Sequence, residues 1–314
     1  MTTNTIGAVG LTLALASTSA HAITIDFDYS FDDGATRLSN GQRAILDYVA
    51  DEFGRRIGDS LDAAFYRSID FSDPGADSIG PSQSHLTLTD QTIAADSLRI
   101  YVGASELNGF GASTVGIGGP GGASGRILDR GESGVGVTDF APWGGSIAFD
   151  SSTNWYVDDD PATLEPFAGV DFYSIAIHEL GHVLGVGTSG SWFAQIGPGG
   201  FTGSASLAAY ADAVGSPRAA VPLAPDGGHW AEGTLSFAAG ALFEVALDPS
   251  IRTGQRKTYT DLDWAALSDI GWEIASASAV PESGSLAMML AGLGLVGAAA
   301  RRRGAESLRR VASD

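Results

Sequence analysis

The stretch "IAIHELGHVLGVGTSGSW", residues 175 to 192, decides the fold of this 314-residue chain. It combines His178, Glu179 and His182 in a segment whose apolar side chains recur at helical spacing. Residues four apart lie one turn apart on one face of a helix, so both imidazoles can bind one metal ion. Glu179 projects beside them, where it can accept a proton from a metal-bound water. The stretch therefore predicts a helix that carries two ligands of a catalytic zinc and a general base.

A catalytic zinc is normally held by three protein ligands, so this helix leaves one ligand to be found. Three histidines lie outside it, and His21 falls in a predicted signal peptide. Carboxylates also bind zinc. The residues alone leave the third ligand open, and the candidates are His229, His85, Asp212, Asp226 and Glu232.

The segment "HELGHVLGVGT" resembles the signature of the metzincin metallopeptidases, His-Glu-x-x-His-x-x-Gly-x-x-His. Gly185 matches the signature glycine and is expected to end the helix, whereas Thr188 stands where the compact signature has its third histidine. The chain is similar to leishmanolysin-like metzincins and to exported bacterial peptidase-like proteins, in which the third histidine comes later in the sequence. The resemblance implies His229 as the third zinc ligand. It also implies an α+β, zincin-like domain with a mixed sheet packed beside the helix.

Metzincins carry a methionine turn beneath the zinc, but the three methionines of this chain all lie in its terminal segments. The stretch "EVALDPSIRTG", residues 244 to 254, is expected to take that place, with Ala246 or Leu247 in the methionine's position. Astacin-like relatives use a tyrosine near the metal, so the resemblance makes Tyr259 a candidate stabiliser of the transition state. Packing against the closing helix is the alternative role for Tyr259.

The activity that the resemblance implies is zinc-dependent hydrolysis of polypeptides, with Glu179 as the general base. The alternative is a catalytically weak or inactive zinc-binding surface module associated with exopolysaccharide or matrix. The acidic run at residues 158 to 160 could bind Ca²⁺ through its oxygens, although a solvated acidic loop is the other interpretation.

Both ends of the chain predict export. Residues 1–22 contain an apolar run and end in small residues, as a secretory signal peptide cut after Ala22 would. Residues 276–314 resemble a PEP-CTERM sorting signal of Gram-negative bacteria: Val-Pro-Glu at 280 to 282, an apolar segment at 286 to 300, and three arginines. An exosortase-like processing enzyme is then a partner. We expect the domain at 23–275 to be secreted or held at the cell surface, near the outer membrane or exopolysaccharide, with membrane contact only through the C-terminal segment.

The composition excludes several classes of protein. The chain has no cysteine, so neither disulfides nor a cysteine-based latency mechanism is available. Its formal net charge of −20 would repel nucleic acid. A polypeptide substrate is compatible with this charge.

The remaining patterns predict the elements around the helix. Strands are predicted at 23–31, 97–103 and 145–149, a helix at 41–57 capped by Ser39 or Asn40, and a closing helix at 260–272 capped by Thr260. The glycine-rich segment 109–125 lacks the ending of a phosphate-binding loop, so it is predicted to be a flexible surface loop. Gly181, in the middle of the motif helix, indicates close approach by another segment.

Overall fold

The computed structural model describes residues 23–76, 85–111, 113–124 and 139–275. The predicted signal peptide and the predicted C-terminal sorting segment lie outside these residues. Within the described ranges, no helix has the length and apolar character needed to cross a membrane.

The described residues form α-helices, β-strands and one short 3₁₀-helix at Asn108–Phe110. The helices are α1 (Asn40–Arg56), α2 (Phe172–Val183), α3 (Gly190–Phe193), α4 (Ser204–Val214) and α5 (Asp261–Asp269). The longer strands are β1 (Thr24–Asp28), β2 (Ala64–Ser72), β3 (His85–Ile93), β4 (Ser97–Ser105), β5 (Gly116–Pro120), β6 (Gly122–Ser124) and β7 (Gly144–Asp150). Shorter strands follow: β8 (Trp155–Tyr156), β9 (Val170–Asp171), β10 (Ile196–Gly197), β11 (Gly200–Phe201), β12 (Leu235–Ala238) and β13 (Ala241–Glu244).

A four-stranded sheet with the order β1-β4-β7-β5 forms the centre of the molecule. β1, β4 and β7 run parallel, and β5 pairs with β7 in the antiparallel direction. Helices α1 and α2 pack on one face of this sheet, where Val102 and Phe149 are fully buried. On the other face, Tyr101 stacks on Phe71 of the second sheet, which has the order β3-β2-β6. The prediction of an α+β fold with a mixed sheet is confirmed.

The motif helix α2 is capped at its start by Asp171 and ends just before the glycine that was predicted to end it. Asp171 caps its first turn by accepting hydrogen bonds from the Ser174 N–H at 3.1 Å and from the Ser174 hydroxyl at 2.6 Å. The helix ends at Val183, and Gly185 then takes a φ of 105°, a conformation that favours glycine. The predicted turn at Gly185 is therefore confirmed, and it sends the chain back past the histidines.

Arg256 stabilises the start of α2, although it lies 85 positions after Asp171 in the sequence. Its guanidinium donates to both carboxylate oxygens of Asp171, at 2.9 and 2.7 Å, and lies 2.7 Å from the carboxylate of Asp158. Both carboxylates are almost completely buried. In the acidic run at 158 to 160, the Asp158 carboxylate is thus buried and committed to Arg256 and is not free to bind Ca²⁺, whereas Asp159 and Asp160 are exposed, as in a solvated loop.

The glycine-rich segment corrects another expectation. Instead of a flexible surface loop, residues 116 to 124 form β5 and β6, which pair with β7 and β2 respectively. Glycine obscured the strand signal, since it removes the side chains that make alternation visible. The two predicted caps are confirmed: Ser39 forms a capping box with Gln42 on α1, and Thr260 forms one with Asp263 on α5.

Replacing Arg256 with alanine should destabilise the protein by about 3–5 kcal/mol, because two buried carboxylates lose their cationic partner. Urea unfolding of the mature domain, followed by circular dichroism, measures this change. Arg252→Ala is the matched control, since Arg252 is 74% exposed and its ion pair with Glu244 should contribute less than about 1 kcal/mol. Equal stability losses in both variants would contradict the assignment.

Candidate metal centre

Three imidazoles meet at one point beside α2. The Nε2 atom of His182 lies 3.1 Å from Nε2 of His178 and 3.1 Å from Nε2 of His229. His178 and His182 come from successive turns of α2, and His229 comes from the loop between α4 and β12. The structure thus brings together the two helical histidines and the late histidine.

The partners of the opposite ring nitrogens determine the tautomers. The Nδ1 atoms of His178 and His182 each lie 2.8 Å from a backbone carbonyl oxygen, those of Ala246 and Val186. A carbonyl only accepts hydrogen bonds, so in each ring Nδ1 carries the proton and Nε2 carries a lone pair. His229 Nδ1 lies 2.8 Å from the carboxylate of Asp226, which likewise acts as an acceptor.

With each Nδ1 donating to an acceptor, the three Nε2 atoms turn toward one another. Such a cluster of imidazole nitrogens favours a cation at its centre. Three nitrogens bound at 2.0–2.1 Å in a tetrahedral site would lie about 3.3 Å apart, close to the separation found here. The donor set therefore fits a zinc ion with three histidine ligands and an open fourth position.

Burial keeps the two helical histidines neutral. Desolvation, together with the neighbouring ring of His229, lowers the pKa of His182 to about 4. Desolvation and the charges of the other two rings lower the pKa of His178 well below its usual value. Both rings are thus unprotonated at neutral pH, as metal ligands must be.

Glu179 is held in a confined, largely dry position against β5. Burial raises the pKa of its carboxyl group to about 8, opposed by a hydrogen bond from the Gly118 N–H. A Cβ atom on Gly116 would lie 2.6 Å from the Glu179 carboxylate, and one on Gly118 would lie 2.4 Å from the Glu179 carbonyl oxygen. Only glycine allows β5 to approach α2 so closely.

The segment expected to replace the methionine turn does lie beneath the histidines. Ala246 holds His178 through its carbonyl oxygen, and the side chain of Leu247 packs against Gly181. A Cβ on Gly181 would lie 2.9 Å from Leu247, so the predicted close approach at this glycine is confirmed. Both apolar residues are buried.

Tyr259 does not reach this site, contrary to the suggestion that it stabilises a transition state. Its ring packs between Phe53 and Trp264, at centroid distances of 4.8 and 4.6 Å, and its hydroxyl is buried without a hydrogen-bond partner. The alternative role, packing against the closing helix, is the one that the structure shows.

The other candidates for the third ligand are placed elsewhere. His85 begins β3, Asp212 is exposed on α4, and Glu232 accepts a hydrogen bond from Ser250. Asp226 contacts His229 rather than the other two histidines. Thr188 donates its hydroxyl hydrogen to the carbonyl of His182 at 2.6 Å, which helps to hold the turn after α2.

A cavity of about 600 Å³ opens over the histidines and Glu179. Residues 113 to 118 form one wall of it, and residues 246 to 251 form the other. A buried ion pair lies in the second wall, where the Lys257 ammonium contacts the Asp248 carboxylate and the Ser250 carbonyl oxygen. The proposed ligands and base are therefore accessible to a substrate from one side.

Comparisons with known proteins agree with this geometry over a short region. Residues 124–194 match the family model described as matrixin. Metalloendoproteinase 1-MMP of Arabidopsis thaliana is 46% identical over 50 residues, 16% of this chain and 14% of the relative. Metalloendoproteinase 2-MMP of the same plant is 43% identical over 51 residues, with the same two shares. No solved structure matches. The chain thus spans 14% of the length of these curated relatives.

These matches support a metzincin-type zinc metallopeptidase. Matrixin metalloproteases use zinc and calcium. The sequence analysis missed the glycine wall of β5, the support that Asp226 gives to His229, and the Lys257–Asp248 pair. The one local signal for the wall formed by β5 was the alternation of Val115 and Ile117 with glycines.

Replacing Asp226 with alanine should weaken zinc binding by about 10- to 100-fold, because His229 loses the acceptor that orients its ring. Competition with a chromogenic chelator measures this affinity. Asp212→Ala removes an exposed carboxylate elsewhere and should leave zinc affinity unchanged. Wild-type affinity in Asp226→Ala would show that His229 needs no support.

Zinc-free protein should lose stability as the pH falls from about 6.5 to 4. The unfolded chain takes up a proton on His182 near 6.5, whereas the folded chain resists protonation until about 4, so acid favours unfolding. Urea midpoints of wild type and His182→Gln, compared between pH 8 and pH 4, isolate this contribution. A wild-type midpoint that did not fall relative to the variant below pH 6.5 would disprove it.

Proposed function

We propose that this chain is an exported zinc-dependent metalloendopeptidase. In this proposal His178, His182 and His229 hold the zinc ion, and Glu179 is the general base. The observation that carries it is the convergence of three imidazole Nε2 atoms beside a buried carboxylate, at the base of an open cavity. A structural zinc site would have no need of that carboxylate or of access from solvent.

Zinc bound there would lower the pKa of a coordinated water toward about 7 and polarise the scissile carbonyl. Glu179 accepts the proton of the attacking water and then delivers it to the leaving amine. Burial suits Glu179 to both steps, because it raises the pKa of the carboxyl group to about 8, close to the pH at which the proton is taken up and released.

The edge of β5 supports a polypeptide as the substrate. Val115 accepts from the Asp150 N–H at 2.9 Å and Gly121 donates to the Gly144 carbonyl at 3.0 Å, so odd-numbered residues of this segment bond toward β7. The peptide groups of Gly116 and Gly118 therefore point away from β7. Among the described residues, no strand pairs with that outer edge.

An extended peptide can add to this edge through main-chain hydrogen bonds. The edge also lies against the general base, since a Cβ atom on Gly116 would lie 2.6 Å from the Glu179 carboxylate. A peptide aligned along β5 would thus have its backbone carbonyls close to the three histidines. The cavity over the histidines lies between residues 113 to 118 and residues 246 to 251, where such a peptide would be bound.

The second candidate is a catalytically weak or inactive zinc-binding module at the cell surface. The leucine in place of the methionine-turn residue favours it. The buried Glu179 argues against it, because burial of a carboxylate without a cationic partner costs stability that a purely structural site need not lose.

Export, surface location and processing by an exosortase-like enzyme are also proposals. They rest on the sequence patterns of residues 1–22 and 276–314.

Replacing Glu179 with glutamine should lower kcat for casein or peptide hydrolysis by about 10²- to 10⁴-fold while zinc stoichiometry stays at one per chain. Glutamine keeps the shape of the side chain but cannot accept the proton. Hydrolysis is followed with a fluorogenic peptide, and zinc by atomic absorption. Equal residual activity in wild type and variant, at equal zinc content, would support the inactive-module alternative.

A further inference from the structure

We propose that a second cavity, on the opposite side of β5 from the histidines, takes a basic side chain of the polypeptide substrate. This cavity has a volume of about 250 Å³, and parts of β2, β3, β5, β6 and β7 line it. Ile117 and Gly118 line both cavities, so β5 is the wall between them. The inference rests on the proposed function, since it concerns the polypeptide bound along β5.

The two faces of β5 have different neighbours. Gly116 and Gly118 face α2, as the short distances from their hypothetical Cβ atoms to Glu179 show. Ile117 faces the other way, where it packs with Leu107 and Ala148. Gly119 shares that face, since residues alternate along a strand.

An extended peptide bound to the outer edge of β5 would alternate in the same way. Residues directly opposite one another in paired strands place their side chains on the same face. A substrate residue opposite Gly118 would therefore point toward α2 and the first cavity. A residue opposite Ile117 or Gly119 would point toward the second cavity, so the substrate is contacted from both faces with a period of two.

Gly119 leaves room for such a side chain. A Cβ atom at this position would meet no heavy atom within 4 Å. This differs from Gly116 and Gly118, where glycine is needed to avoid Glu179. At Gly119 the missing side chain instead leaves open space beside the predicted path of the peptide.

The lining of the second cavity favours a cation. The polar residues that line it are Asp70, Ser72, His85 and Ser146. The Asp70 carboxylate lies against Gly122, which also lines the cavity, since a Cβ atom there would lie 2.5 Å from it. Asp70 supplies a carboxylate, and no lysine or arginine of the described residues lines the cavity. Carboxylate and hydroxyl oxygens accept hydrogen bonds from ammonium and guanidinium groups. The net charge of −20 would also attract basic polypeptides.

Peptide binding to zinc-loaded Glu179→Gln tests this proposal without turnover. The probes are fluorescein-labelled, otherwise uncharged peptides in which one lysine is moved stepwise along the chain, each matched by a norleucine peptide. Fluorescence anisotropy should show binding about three- to fivefold tighter for lysine than for norleucine at one peptide position, or at two positions that are two residues apart. A gain of this size is typical of a partly exposed ion pair. An equal gain at every position would reflect general attraction and would overturn the proposal.

Two variants in the same background remove the site in different ways. Asp70→Asn removes its charge, and Gly119→Leu fills its space without a change of charge. Each should abolish the position-dependent gain. Asp212→Asn, which changes the net charge equally on exposed α4, should retain it. If both site variants kept the gain and melted at the wild-type temperature, the proposal would be overturned. If one variant failed to fold, the other would still test the site.

Casein hydrolysis by wild type keeps this proposal separate from the proposed function. Absence of hydrolysis, together with the alternating lysine pattern, would disprove the peptidase and leave the second cavity as a binding site. Hydrolysis without the pattern would overturn the second cavity and leave the peptidase.

Discussion

The Nε2 atoms of the three imidazoles repel one another, and contacts with the surrounding fold hold the rings in this arrangement. Carbonyl oxygens of Ala246 and Val186 and the carboxylate of Asp226 take the three Nδ1 protons, so each ring has a single orientation. This converts a local repulsion into affinity for a cation. The three acceptors come from separate segments of the chain, so the site depends on the packing of all of them.

The packing around α2 depends on missing side chains. Gly116 and Gly118 let β5 reach Glu179, and Gly181 lets Leu247 lie directly beneath the histidines. Each position would clash with a Cβ atom. The glycines that make this chain look loop-like in sequence are therefore the residues that allow its tightest contacts.

Much of the local structure followed from short-range rules. The capping residues Ser39 and Thr260, the turn at Gly185 and the close approach at Gly181 are each determined by neighbours within a few residues or by a steric demand on one residue. The prediction of a flexible loop at residues 116 to 124 was wrong, because the strands that pair with this segment lie far away in sequence. The Asp158–Arg256 pair joins residues nearly a hundred positions apart, and no local pattern announces such a contact.

The sequence by itself determined the chemistry of the candidate centre: a helix that presents two histidines on one face, with a glutamate beside them, since residues four apart lie one turn apart in a helix. It also narrowed the third ligand to a few residues. Only the tertiary structure placed His229 with the pair and moved Tyr259 into the core. It alone showed that the glycine-rich segment forms a wall of the cleft. These outcomes were decided by long-range packing, because they depend on which distant segments share a buried volume rather than on the preferences of neighbouring residues.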